Sequence, residues 1–193
     1  MLLIILLFLF MASCSDSLTY NRGTEPISLK ILTQSDTILV GNLVEFKVEI
    51  KPSIAYAKRW YWILNSTKHD TRPLDITFTE SGVYNAAFYI VDYLDDTLST
   101  DTVTITVANT PVCNSIELEC ATKTFKWDCY DKDGEKLTYS LLYTEDGKNR
   151  TATPDTNFWK PTPSMTNNWR VKVTAANRFK FQTEISEEGE PCP

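Results

Sequence analysis

The sequence predicts an all-β chain of two tandem antiparallel sandwiches, on three observations. Apolar and polar residues alternate with a period of two through most of the chain. Turn formers punctuate those runs every ten residues or so, and no useful stretch after the N-terminal segment repeats with the period of a helix.

Residues 1–13 stand apart. Residues 2–11 are uninterrupted apolar, Leu-Leu-Ile-Ile-Leu-Leu-Phe-Leu-Phe-Met. That run is too short to span a bilayer core, which takes about 20 residues, but has the length of an export-signal core. Ala12, Ser13 and Cys14 follow it. The string Met11-Ala12-Ser13-Cys14 resembles the lipobox of bacterial lipoproteins. The resemblance implies a signal peptide over 1–13, a lipid on Cys14, and attachment to the cell envelope. The competing reading is an ordinary signal peptide cut near a chance cysteine. Residues 14–26 are polar and aperiodic, as in a tether. Ser15-Asp16 resembles the polar, acidic start of some surface-exported lipoproteins, which favours the outer membrane, on its periplasmic or outward side.

The first predicted domain covers 27–109. Val44, Phe46, Val48 and Ile50 alternate with charged residues after a Gly41-Asn42 turn, so one face is buried and the other wet. Arg59 to Leu64 forms a strand apolar on both faces. Leu74, Ile76 and Phe78 alternate, Glu80-Ser81-Gly82 turns into a long strand from Val83 to Val91, and Val103, Ile105 and Val107 close the set. Gly41, Trp62, the Ser81-Gly82-Val83-Tyr84 corner and the closing Val-x-Ile-x-Val resemble the PKD family of immunoglobulin-like sandwiches. The resemblance implies that Tyr84 pins its corner through a hydroxyl bond to nearby backbone.

The second predicted domain covers 110–193. Phe125 and Trp127 share one strand face, Asp131-Lys132-Asp133-Gly134 turns the chain, and Leu137 to Tyr143 follows. Trp169 to Asn177 alternates, with Phe179, Phe181 and Ile185 expected on the last strand. Trp127 and the Trp169–Asn177 stretch resemble a fibronectin type III domain. Trp169 stands where that family carries a tyrosine, so the tyrosine's hydroxyl contact is expected to be absent.

Five cysteines occur. With Cys14 assigned to lipid, Cys113, Cys120, Cys129 and Cys192 form an even set whose spacings do not suit zinc, so disulfides are expected. If the strand from Cys113 to Cys120 pairs tightly with the strand ending at Cys129, Cys113 meets Cys129 at one pole and Cys192 reaches Cys120 at the other. A longer first hairpin would instead favour Cys113–Cys192 with Cys120–Cys129.

The composition narrows function by exclusion. The net charge of −6 opposes binding to nucleic acid or anionic lipid. The single histidine, His69, falls in the loop after the tryptophan strand, and no nucleophile sits in a triad context, so the chain is read as not an enzyme. No cofactor or metal is expected. Asp131-x-Asp133-Gly134 and the Asp92, Asp95, Asp96 cluster are read as tight turns, not calcium loops. A scaffold, spacer or adhesion module of the envelope is the first functional reading, and an accessory glycan-binding lipoprotein the second. The partners expected are the membrane, through the lipid, and an envelope protein or polysaccharide. In the third strand, Trp60 and Trp62 are expected inside, which turns Tyr61 outward to join Tyr89 as the candidate binding pair.

Overall fold

The computed structural model describes residues 27–51, 57–162 and 166–192, so Cys14, the signal segment and the tether lie outside the described residues. The chain is all-β. Its first half contains β1 (Ser28–Leu32), β2 (Thr37–Leu39), β3 (Leu43–Lys51), β4 (Arg59–Leu64), β5 (Thr67–His69), β6 (Leu74–Thr77), β7 (Gly82–Val91) and β8 (Thr97–Ala108). Three strands in the order β1-β3-β6 face five in the order β2-β8-β7-β4-β5. Within the larger sheet β2 runs parallel to β8 and the other pairs are antiparallel.

Between the two sheets lies a core of Val44, Phe46, Trp62, Phe88, Ile90 and Ile105, all buried. Trp62 sits at its centre, edge-on to Phe88 at 4.8 Å and tilted against Phe46 at 5.7 Å. Tyr84 packs 4.3 Å from Phe78, and its hydroxyl donates to the Glu80 carbonyl at 3.0 Å, the corner contact the sequence suggested. Trp60 departs from expectation. It shares the inward face of β4 but is 41% exposed. The Arg72 guanidinium lies over its ring at 5.9 Å. His69 also moves. Asn65 and Ser66 both adopt positive φ (42° and 72°), which makes a two-residue hairpin turn and places His69 in β5 opposite Trp62.

The second half contains β9 (Val112–Glu119), β10 (Thr124–Tyr130), β11 (Thr138–Glu145), β12 (Lys148–Ala152), β13 (Phe158–Trp159), β14 (Trp169–Ala176) and β15 (Gln182–Gly189). Its sheets are ordered β13-β10-β9 and β12-β11-β14-β15, all antiparallel. Phe125, Trp127, Leu141, Tyr143, Trp169, Val171 and Val173 form the buried core. Trp169 has a polar contact of its own, because its indole N–H donates to the Glu190 carbonyl at 2.7 Å. Its ring lies over Gly189, its cross-strand partner, where an added Cβ would sit 2.7 Å from the ring. Phe179 and Phe181 are not on the last strand. They lie in the turn before it, since Lys180 takes φ 66° and the backbone N–H groups of both phenylalanines bond the Asn177 side chain.

Disulfides join Cys113 to Cys129 and Cys120 to Cys192, the first of the two pairings considered. Cys113 and Cys129 face each other across the β9–β10 ladder, with Cα atoms 4.0 Å apart. The four-residue turn from Cys120 to Lys123 keeps that hairpin tight, which leaves Cys120 at the far end for the C-terminal tail.

Two stability measurements follow from this packing. Urea denaturation of Trp62→Ala is expected to show a loss of about 3–5 kcal/mol, and of Trp60→Ala a loss of under about 1.5 kcal/mol. Replacing Cys120 and Cys192 by serine should cost about 4 kcal/mol and replacing Cys113 and Cys129 about 3, because the first bridge closes a 72-residue separation and the second one of 16.

Candidate functional site

Two places hold the residues that the sequence singled out: the outer face of the larger first-half sheet, and the joint between the halves. On the outer face, alternation along β4 and β7 turns Tyr61 and Tyr89 away from the core, and the register sets them directly opposite each other. Their rings stack at 5.1 Å with planes 12° apart. Lys68, on the other neighbouring strand, places its ammonium 4.5 Å over the Tyr61 ring. Since β4 lies between β7 and β5, Tyr61 has a ring on one side and a cation on the other. Both of its faces are occupied. On its other side Tyr89 pairs with Thr100 on β8. Both tyrosines are half-buried. The face therefore presents a stacked pair of half-buried rings beside the polar rows of β8, rather than an open two-ring platform.

The joint was not legible as such. Asn109, the first of the three residues between β8 and β9, donates twice to Asp133: its backbone N–H reaches Oδ2 at 2.7 Å and its side-chain amide reaches Oδ1 at 2.7 Å. The Asn177 amide donates to the Asn109 carbonyl and to Asp131 Oδ2, both at 3.0 Å. The other Asn177 atom, Oδ1, accepts from the backbones of Phe179 and Phe181, and Asp131 Oδ1 accepts from the Asp133 N–H at 2.8 Å. The Asp-Lys-Asp-Gly stretch is thus a turn, as expected, with a second role as the clamp on the linker. Its carboxylate oxygens already accept from N–H donors. Among the described residues no group of three or more His, Cys, Asp or Glu could hold a metal ion.

Two carboxyls are tuned by their settings. Burial pushes the Asp133 carboxyl up, but donors from the Asn109 backbone, the Ser81 hydroxyl and the Asn109 amide outweigh it and hold the group below the usual range. Ser81 belongs to the first half, so this carboxylate is gripped from both sides of the joint. In the second core Glu145 is buried, which raises its carboxyl, yet it too is held low, because the backbones of Thr166 and Asn167 donate to it at 2.6 and 3.1 Å. Burial, then the Glu145 carboxylate beside it, push the Tyr143 hydroxyl up to about 12.

The pH dependence follows in sign. Both carboxyls titrate lower in the folded chain than in the unfolded one, so their contribution is complete above the unfolded range of about 4 and is lost as pH falls through the lowered folded values. Denaturation series between about pH 6 and 3 are expected to show Asp133→Asn and Glu145→Gln each losing about 1–3 kcal/mol near pH 6, with the gap to the unmodified chain closing toward pH 3. A gap that does not change with pH would remove both carboxylates from the account.

No family model matches the chain, and no curated relative does. Several solved structures are similar to it. The fibronectin(III)-like modules of Clostridium thermocellum CbhA share 14% identity over 85% of this chain and 94% of theirs, with a TM-score of 0.44. The three N-terminal domains of the bacteriophage RB49 Highly Immunogenic Outer Capsid protein share 13% identity over 84% of this chain and 68% of theirs, at 0.49. A Ca2+-stabilized adhesin with which an Antarctic bacterium binds ice shares 14% identity over 86% of this chain and 48% of its own, at 0.42.

Proposed function

We propose that the chain is a non-catalytic envelope lipoprotein, held by a lipid on Cys14 at the outer membrane, whose two sandwiches act as a scaffold or spacer. The observation that carries the spacer reading is the joint. Asn109 is bonded through its backbone N–H, its carbonyl and its side chain to the second half. A linker residue bonded in this way resists bending, whereas separately tethered binding modules need a linker left to water. The buried partners Asp131 and Asn177 keep competing water from those bonds.

Replacing Asp133 and Asn177 together by alanine tests the reading. Rotational correlation times from NMR relaxation should be common to both halves in the unmodified chain and should separate in the double variant, with each core still folded. Independent tumbling of the two halves in the unmodified chain would sink the spacer reading. For the anchor, Cys14→Ser should move the protein from the detergent phase to the aqueous phase.

A second reading, glycan capture, draws on the outward Tyr61–Tyr89 stack beside the polar rows of β8. Under it, Tyr61→Ala with Tyr89→Ala abolishes retention on an envelope or plant polysaccharide gel while the melting temperature changes little. An unmodified protein that is not retained returns the choice to the scaffold.

A further inference from the structure

The turn between β7 and β8 presents apolar side chains to solvent. Tyr93 is 62% exposed and Leu94 76%, at the tip of Asp92-Tyr93-Leu94-Asp95-Asp96. Scattered apolar residues of this kind are common on surfaces, and three further features set this tip apart.

The first is its construction. Asp92 is buried, and its Oδ1 accepts the backbone N–H groups of Leu94 at 2.8 Å and Asp96 at 3.0 Å. The Asp92 N–H bonds the Asp96 carbonyl, and the Asp95 N–H the Asp92 carbonyl. Four backbone N–H groups of the tip, those of Asp92, Leu94, Asp95 and Asp96, thus have partners within the turn, which lowers the cost of moving it out of water. The second is charge. The Asp95 carboxylate lies 3.2 Å from the Lys58 ammonium and 3.1 Å from the Arg59 guanidinium, so its entry into a poorly hydrated layer is partly compensated. The third is position. Ser28 pairs with Lys51, and Ile31 bonds the Asp101 carboxylate on β8, so the chain enters the first sandwich at the same pole as the tip. Cys14 precedes Ile27 by thirteen residues, which reach at most about 45 Å. The joint to the second half lies at the opposite pole.

We propose that this pole docks on the lipid surface, with Tyr93 and Leu94 entering the boundary between headgroups and acyl chains. The proposal rests on the lipid anchor at Cys14, which would bring this pole, rather than the opposite one, to the bilayer. Apolar entry also suits an acidic chain that charge would not draw to anionic lipid. Tyrosine is a residue of that boundary, with an apolar ring and a polar tip.

The test uses the full lipidated chain in neutral phosphatidylcholine vesicles with or without brominated acyl chains. Tyr93→Trp places a reporter at the tip, and Val83→Trp places one at an equally exposed site near the joint, at the other end of β7. Bromolipid should quench the added emission at 93 at least about twofold more than at 83, given an expected depth of about 5–10 Å. Adding Leu94→Asp should erase the difference. Equal quenching at the two sites overturns the docking while leaving the anchor in place. A chain that does not sediment with vesicles overturns anchor and docking together. Tip quenching that survives Cys14→Ser overturns the part of the proposal in which the anchor brings this pole to the bilayer.

Discussion

Each sheet in this chain must bury one face, and the two halves are organised around that constraint. A strand can face the core only with alternate residues, so Trp62 and Tyr61, adjacent in sequence, are committed to opposite environments. In the first half the inward rings interlock around Trp62; in the second, Phe125, Tyr143 and Trp169 fill the same role. Outward residues are then left to pair with one another along the sheet surface. The Tyr61–Tyr89 stack and the Arg170–Glu188 and Lys172–Glu184 pairs arise in that way. Such exposed pairs add little to stability.

The joint obeys a different rule. A linker between two sandwiches has backbone groups that belong to neither sheet, and burying them unpaired would be costly. Asn109 solves this by bonding to Asp133 and Asn177, and those two are in turn held by Asp131 and the 178–181 turn. One short cluster thus serves as turn, clamp and linker cap. The same economy appears at Asp92, where one buried carboxylate organises an entire exposed turn.

Much of the architecture was legible in the residues themselves, because periodicity, turn formers and cysteine parity are local properties. The all-β class, the inward positions of Phe46, Trp62, Trp127 and Val171 and the outward pairing of Tyr61 with Tyr89 follow from strand alternation, and the Tyr84 corner from the family resemblance of its turn. What alternation does not carry is which positions on one face are covered. Trp60 and Trp62 share one face of β4, yet only Trp62 is buried. Nor does alternation show an Asn-Ser pair taking left-handed backbone, which turned the expected loop at His69 into β5, or Asn177 drawing Phe179 and Phe181 into a turn. Asp131 and Asp133 read as a turn from composition alone. Only the tertiary structure made them a clamp, because their partners Asn109 and Asn177 lie 24 and 46 residues away, and such contacts exist only once the second sandwich has closed against the linker.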